Sequence, residues 1–145
     1  MDETDFRIVQ ELQENGRRTY REIAKKLRVS DGTVRIRTER MLEKGLIKIK
    51  ALVNPFQFEH HVCALVGINL ERRGHKRKME QISKLKGVVS VMNTTGRYDL
   101  FAELFVKSQK ELMDFLVNEI SKVDGIQATE TFVYLDGTNK WMTLG

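Results

Sequence analysis

Residues 19–45, TYREIAKKLRVSDGTVRIRTERMLEKG, decide the fold. Thr19 followed three residues on by Glu22 is a capping box, and Tyr20, Ile23, Ala24 and Leu27 give the helix it opens an apolar face. Arg28 and Val29 leave room only for a tight turn. Ser30 is then a natural N-cap for a further helix through Val34, Thr38, Met41 and Leu42, and Gly45 suits the left-handed position just past its end. Upstream, Phe6, Val9 and Leu12 recur at helical spacing with Ile8 beside them. Asp2, Glu3 and Asp5 occupy the first turn, where the dipole favours acids, and Gly16 ends the segment. Three short helices, the last two joined by a tight turn, read as a helix-turn-helix.

From Leu46 the period changes to two: Ile47, Ile49, Ala51 and Val53 alternate with Lys48, Lys50 and Leu52 until Asn54-Pro55 breaks the run. This predicts a linking strand. Beyond it the pattern predicts strands over 62–71, 88–95, 98–106 and 126–135 and helices over 76–86 and 109–122, the βαββαβ order of a ferredoxin-like domain. Its helices cover one sheet face. Leu100, Ala102, Leu104 and Val106 take that face in the third strand, while Leu65, Phe101, Phe105, Phe132 and Tyr134 make the other face apolar around Glu103, so a second subunit is expected to cover it.

Charge is distributed unevenly along the 145 residues. Residues 1–16 carry net −4, residues 17–50 net +8, with twelve Lys and Arg against four acids, and residues 51–145 net +1. The positive field coincides with the helix-turn-helix, the footprint of a polyanion-binding module or, more simply, a solvated charged face. No apolar run has the length of a membrane span, and the acidic opening residues are unlike a signal peptide, so a cytoplasmic protein without a membrane partner is expected. The lone Cys63 supports neither an internal disulfide nor a thiolate metal site and reads as a buried apolar residue.

On the third predicted helix, Val34, Thr38 and Met41 turn inward. Asp31, Gly32, Thr33, Arg35, Arg37 and Arg40 are left on or near the outer surface. Such a helix lays its N-terminal part against base edges in a major groove: arginine reads guanine, Thr33 meets a thymine methyl or a phosphate, and Gly32 permits close backbone approach. Thr19, Tyr20 and Ser30, at the starts of the two helices, complete the candidate DNA-binding set. Ile36 lies off the core stripe and either meets a thymine methyl or packs on a neighbouring domain.

These residues resemble the Lrp/AsnC (leucine-responsive, or feast/famine) transcriptional regulators over nearly the whole chain. The resemblance is carried by Asp2-Glu3-Thr4-Asp5, Ile8, Leu12 and Asn15-Gly16-Arg17; by Ile23-Ala24, Leu27, Val29-Ser30, Thr33-Val34, Arg37 and Leu42-Glu43-Lys44-Gly45-Leu46-Ile47-Lys48; by Asn54-Pro55; and by Gly96-Arg97-Tyr98-Asp99, similar to the family's Gly-x-Tyr-Asp loop. It implies an α+β architecture: a winged helix-turn-helix DNA-binding domain over 1–50, a linker strand and hinge over 51–61, and a βαββαβ dimerisation and effector-binding domain over 62–145. It further implies a homodimer, often built up to an octamer, reading a pseudo-palindromic double-stranded operator, with an amino-acid effector beside the loop and no cofactor. Thr38 stands where the family usually has an aliphatic residue, a departure expected to loosen packing, and Arg72-Arg73-Gly74-His75-Lys76-Arg77-Lys78 is an unusually basic connection.

For the effector, Gly96 lets backbone N–H groups turn toward a carboxylate, Asp99 offers a counter-charge to an α-ammonium, and Thr94, Thr129 and Thr131 supply hydroxyls, with Arg97 and Tyr98 completing the set. The same Gly96 and Asp99 also suit an ordinary turn. An enzyme is disfavoured: His60 and His61 are adjacent at the start of a strand and would point apart, no carboxylate or Cys stands at ligand spacing, and the glycines of a phosphate-binding loop are missing. The alternatives left are an architectural DNA-binding protein with little sequence preference and no ligand and, less favoured because residues 1–50 show neither stacking aromatics nor an RNP-type strand, an RNA-binding protein.

Overall fold

Asp2, Thr19 and Ser30 each accept the backbone N–H three residues on, so α1 (Glu3–Glu14), α2 (Tyr20–Leu27) and α3 (Asp31–Glu43) begin at side-chain caps. Asp5 and Glu22 reciprocate the first two as capping boxes. Arg28, left-handed at φ 58°, makes the turn into α3. Gly45, at φ 64°, ends α3 with bonds from Leu46 N–H to Met41 O (2.9 Å) and Gly45 N–H to Leu42 O (3.0 Å), a Schellman closure. Ile8, Ile23, Ala24, Leu27, Val34 and Met41 form the core between the three helices. Thr38 is buried with them and donates its hydroxyl to Val34 O at 2.8 Å, so the departure from an aliphatic residue leaves no orphaned polar group.

The structure, a computed structural model, describes residues 1–71 and 74–144, which fall into two units, 1–50 and 51–145. In the first unit the expected Phe6 contact does not form. Phe6 is 60% exposed while Asp5 is buried. The inward stripe of α1 runs through Asp5, Ile8 and Leu12, and Phe6 lies about 100° around the helix from Asp5.

The linking strand is likewise corrected. No strand forms between residues 46 and 52; Val53 makes an isolated antiparallel bridge to Met142, and Asn54 caps a 3₁₀ turn at Pro55–Gln57. An alternating pattern becomes a strand only where a neighbouring backbone completes its ladder, and none in the described chain lies beside residues 46–52.

In the second unit, β1 (Val62–Leu70), α4 (His75–Ile82), β2 (Val88–Asn93), β3 (Leu100–Val106), α5 (Gln109–Asp114) and β4 (Ile126–Val133) follow the expected order. The sheet order is β2-β3-β1-β4, antiparallel throughout, the ferredoxin-like arrangement. Its helix-covered face joins Ala64, Val66, Ile68, Leu100, Ala102 and Leu104 to Ile82, Leu112 and Phe115. The second predicted helix is not uniform. After α5 the chain widens into a π turn over Phe115–Glu119, and Ile120 N–H bonds Phe115 O, which stacks two buried residues five apart on one face.

The other sheet face is only partly open. Phe105, expected to await a second subunit, is 5% exposed because Val53, Phe58, Met142 and Tyr134 of the same unit cover it together with Cys63. Glu103, at the middle of this face, accepts from Tyr134 Oη (2.9 Å) and from Lys140. Phe132 and Met92 stay 43% and 45% exposed. Burial pushes the Cys63 thiol up to about 11, with Glu103 adding to the shift, as an inert core residue requires.

Gly87 ends the β2 approach at φ 84°, and a Cβ there would meet Val106 Cγ1 at 2.5 Å. Gly87→Ala is therefore expected to cost about 1 to 3 kcal/mol, read as a lower urea midpoint at unchanged slope. An unaltered midpoint would show that Val106 moves freely.

Candidate functional site

Ser30 Oγ, besides capping α3, lies 2.7 Å from Thr33 Oγ1, so both hydroxyls are held at the helix start. Asp31, Gly32, Arg35 and Ile36 are exposed along the following turn, Ile36 at 67%. The Arg35 guanidinium sits 5.9 Å over the Tyr20 ring, which ties α2 to the outer surface of α3 and leaves the arginine's edge outward. Thr19 is engaged in its capping box with Glu22. Arg35 and Ile36 thus protrude beside the half-buried Thr33, and Arg35 makes no ion pair among the described residues.

Arg37 and Arg40 differ: their side chains keep 27% and 47% exposure, but each is engaged with a carboxylate. Arg37 Nη1 bonds Asp2 Oδ2 (2.6 Å) and Asp5 Oδ1 (2.8 Å), while Arg40 Nη2 bonds Asp5 Oδ1 (3.1 Å) and Oδ2 (2.8 Å). The Asp2 N–H adds a further bond to Asp5 Oδ2. In the free chain one nitrogen of each arginine is thus tied to the α1 acids. Burial raises the Asp5 pKa, but the Arg37 bond and the others more than offset this, and the net direction is downward; the Arg37 bond likewise lowers that of Asp2.

A second pairing links α1 to the α2 region. Arg18 bonds Glu11 and Glu14, and Lys26 bonds Glu11 (2.7 Å) and Glu14 (3.3 Å). The acids of α1 therefore neutralise four cations of the basic stretch. Arg17, Arg21, Lys25, Arg28, Arg35, Lys44, Lys48 and Lys50 have no carboxylate partner among the described residues.

The loop between β2 and β3 carries the other predicted set. Gly96 has φ 111°, with open space where a Cβ would stand. Thr94 Oγ1 donates to Tyr98 O at 3.1 Å and its N–H to Asp99 O at 3.2 Å, closing the loop. Asp99 is not a free counter-charge: Oδ2 accepts the Leu70 N–H at 2.8 Å, where the β1–β4 ladder shifts register, and Oδ1 lies 3.7 Å from His75 Nε2. That use of Tyr98 and Asp99 is why β3 starts at Leu100 rather than at 98. The Tyr98 ring packs against Gly67, Phe101 and Phe132 on the half-open sheet face, with Arg97 5.5 Å over it and 3.8 Å from Glu130. Its hydroxyl is buried without a partner among the described residues.

Thr129 and Thr131 do not join this loop. They pair with Ile68 and Val66, whose side chains face the helices, whereas Tyr98 lies on the opposite face. Sequence reading grouped them because alternation along β4 was not referred to the register of β1. His60 and His61 fall in the turn before β1, His60 at φ 66°, and His61 packs on Phe58 and Phe105. No cluster of metal-ligating side chains occurs among the described residues, and no helix there is long and apolar enough to cross a membrane. Of the basic connection, Arg72 and Arg73 lie outside the described residues, and Lys76 and Arg77 are exposed at the start of α4.

Comparison with known proteins matches residues 1–48 to winged helix-turn-helix DNA-binding domains and residues 63–140 to the Lrp/AsnC ligand binding domain. An uncharacterized HTH-type transcriptional regulator of Pyrococcus furiosus is 39% identical over 97% of this chain and 95% of its own length. The solved structure of Escherichia coli AsnC, 32% identical, superposes with a TM-score of 0.74 over 94% of this chain and 93% of its own. A Neisseria meningitidis transcriptional regulator solved as an L-Met complex has the same fold, at 22% identity, with a TM-score of 0.75 over 100% of this chain and 96% of its own.

Two outcomes follow from this geometry. Because the Asp5 pKa is lowered on folding, its contribution to stability is present above the unfolded value of about 3.9 and is lost as pH falls through the lower folded value. Acid titration below about pH 4, followed by the methyl resonances of Ile8 and Val34, should show the helical core loosening, and Asp5→Asn should remove that step; a wild-type core indifferent down to pH 2 would contradict it. Gly67→Ala puts a methyl 2.7 Å from the Tyr98 ring and should swing that ring off the sheet, costing about 1 to 3 kcal/mol and quenching the Tyr98–Phe101 cross-peaks.

Proposed function

This chain belongs to the Lrp/AsnC family of transcriptional regulators, with a helix-turn-helix unit ahead of the family's ligand-binding domain, and from that premise we propose that it is a sequence-specific regulator working as a homodimer or larger assembly. The observation that carries the reading is the outer surface of α3. Gly32, Thr33, Arg35 and Ile36 protrude from a capped helix start, flanked by cations without intrachain partners. Gly32 admits the backbone close to a base pair, Arg35 offers a bidentate donor pair, and Ile36 offers an apolar surface to a thymine methyl. Thr19, Tyr20, Ser30 and Asp31 support that surface. The cytoplasm, where DNA is accessible, is the compartment this function needs.

Duplex fragments retained from genomic DNA by the pure protein give the operator. If about six phosphates are neutralised per bound dimer, log K against log salt should slope near −5. Arg35→Ala is expected to weaken the retained site by roughly 1 to 3 kcal/mol and to lower its preference over unrelated duplex. A salt-independent affinity would sink the reading, and equal loss on every sequence would favour the architectural alternative.

Assembly rests on the half-open sheet face. Phe132 and Met92, with Leu65 beside Phe132 in register, are the apolar surface left for a second copy once Phe105 has been covered within the unit. The effector reading rests on the loop of Thr94, Gly96, Arg97, Tyr98 and Asp99, where a buried hydroxyl without a partner among the described residues borders that same face. An L-Met complex in the Neisseria relative supports a small amino acid as the ligand class. Light scattering at micromolar concentration should give a dimer or larger, and Phe132→Asp should dissociate it. Calorimetry with the twenty amino acids should find one whose binding is lost in Asp99→Asn, a variant that keeps an acceptor for Leu70 N–H; binding that survives would move the ligand elsewhere.

A further inference from the structure

Asp2 and Asp5 hold Arg37 in unequal ways. Asp5 has 2% side-chain exposure and receives donors on both oxygens, whereas Asp2 is 56% exposed and divides two tasks between its oxygens. Oδ1 caps the Asp5 N–H at 2.9 Å; Oδ2 accepts Arg37 Nη1 at 2.6 Å. Arg37 itself keeps 27% side-chain exposure, and its Nη2 and Nε have no partner among the described residues. It lies on α3 two residues beyond Arg35. A carboxylate oxygen and a phosphate oxygen make the same charge-assisted bond to a guanidinium, so each can replace the other.

We propose that Asp2 Oδ2 occupies, in the free protein, the place of a DNA backbone phosphate oxygen, and that binding exchanges Asp2 for phosphate on Arg37 while Asp5 keeps the arginine in position. This rests on the reading of α3 as the DNA-facing helix. Arg37 then contacts phosphate and carries no base information, and Asp2 lowers affinity uniformly across sequences. The two tasks of Asp2 are separable because asparagine and serine cap a helix about as well as aspartate but carry no charge. Glu3 lies in the same turn, has no ion pair among the described residues, and so reports the effect of removing one negative charge alone.

The test compares the full chain with Asp2→Asn, Asp2→Ser and Glu3→Gln, on a retained genomic duplex and an unrelated duplex of equal length in low salt. Asp2→Asn and Asp2→Ser should each tighten both duplexes about two- to five-fold, the range of one exposed ion pair, with their ratio unchanged. Glu3→Gln should tighten them by clearly less. Equal tightening by Glu3→Gln, or weaker binding by both Asp2 variants at unchanged melting temperature, would overturn the exchange while leaving the DNA reading intact. Failure of the wild type to bind any duplex would overturn that reading and the exchange together.

Discussion

Asp5 sits inside the three-helix unit as a carboxylate with 2% of its side chain exposed, and a charge in that position persists only when it is paired and fully hydrogen-bonded. Arg37 and Arg40, one helical turn apart on α3, supply the pairing from one side, and the α1 N-terminus supplies the Asp2 N–H and its dipole from the other. The orientation of α3 against α1 is thereby specified by directional bonds rather than by apolar contact alone. The surface that α3 presents depends on it. With Arg37 and Arg40 bonded to the α1 acids, Arg35 and Ile36 are left unpaired and exposed on the helix surface, beside the half-buried Thr33.

The acidic first helix and the basic stretch after it are therefore parts of one structure. Asp2, Asp5, Glu11 and Glu14 each neutralise a cation of the following residues, and what remains is the field a DNA molecule meets. Exposed pairs such as Arg18–Glu14 add little stability individually. Their consequence is selection, since they decide which cations stay available.

The sheet unit shows a comparable economy on its second face. One end is closed by Val53, Phe58 and Met142 over Cys63 and Phe105, the middle by Glu103 with Tyr134 and Lys140, and the far side by the Tyr98 ring on Gly67. The apolar residues left exposed on this face, Phe132 and Met92, border the loop whose tyrosine hydroxyl lacks a partner among the described residues. Assembly and ligand response, on the proposed reading, share that border, so a ligand that prefers one assembly shifts the other by the same coupling free energy.

Much of this was legible in the residues themselves. Thr19 with Glu22, Ser30, and Gly45 mark helix ends because capping is local chemistry, and the alternation of Leu100, Ala102, Leu104 and Val106 assigns a sheet face because side-chain direction in a strand follows from the backbone. The order of elements followed from the same signals, and the family from the resemblance of its motifs. Tertiary structure alone decided the rest. Asp5 reads as a first-turn acid until Arg37 and Arg40, more than thirty residues later, are seen beside it. Phe6 and Phe105 are apolar in identical ways, yet one is exposed and the other covered, because burial depends on what the chain brings over each. Leu46 to Leu52 alternates like a strand and forms no ladder among the described residues, and Thr129 joins the helix side of the sheet through its register with Ile68. Local sequence determines caps, periods and turns, which involve a few adjacent residues; pairing, register and burial are properties of segments distant along the chain, and only the folded arrangement sets them.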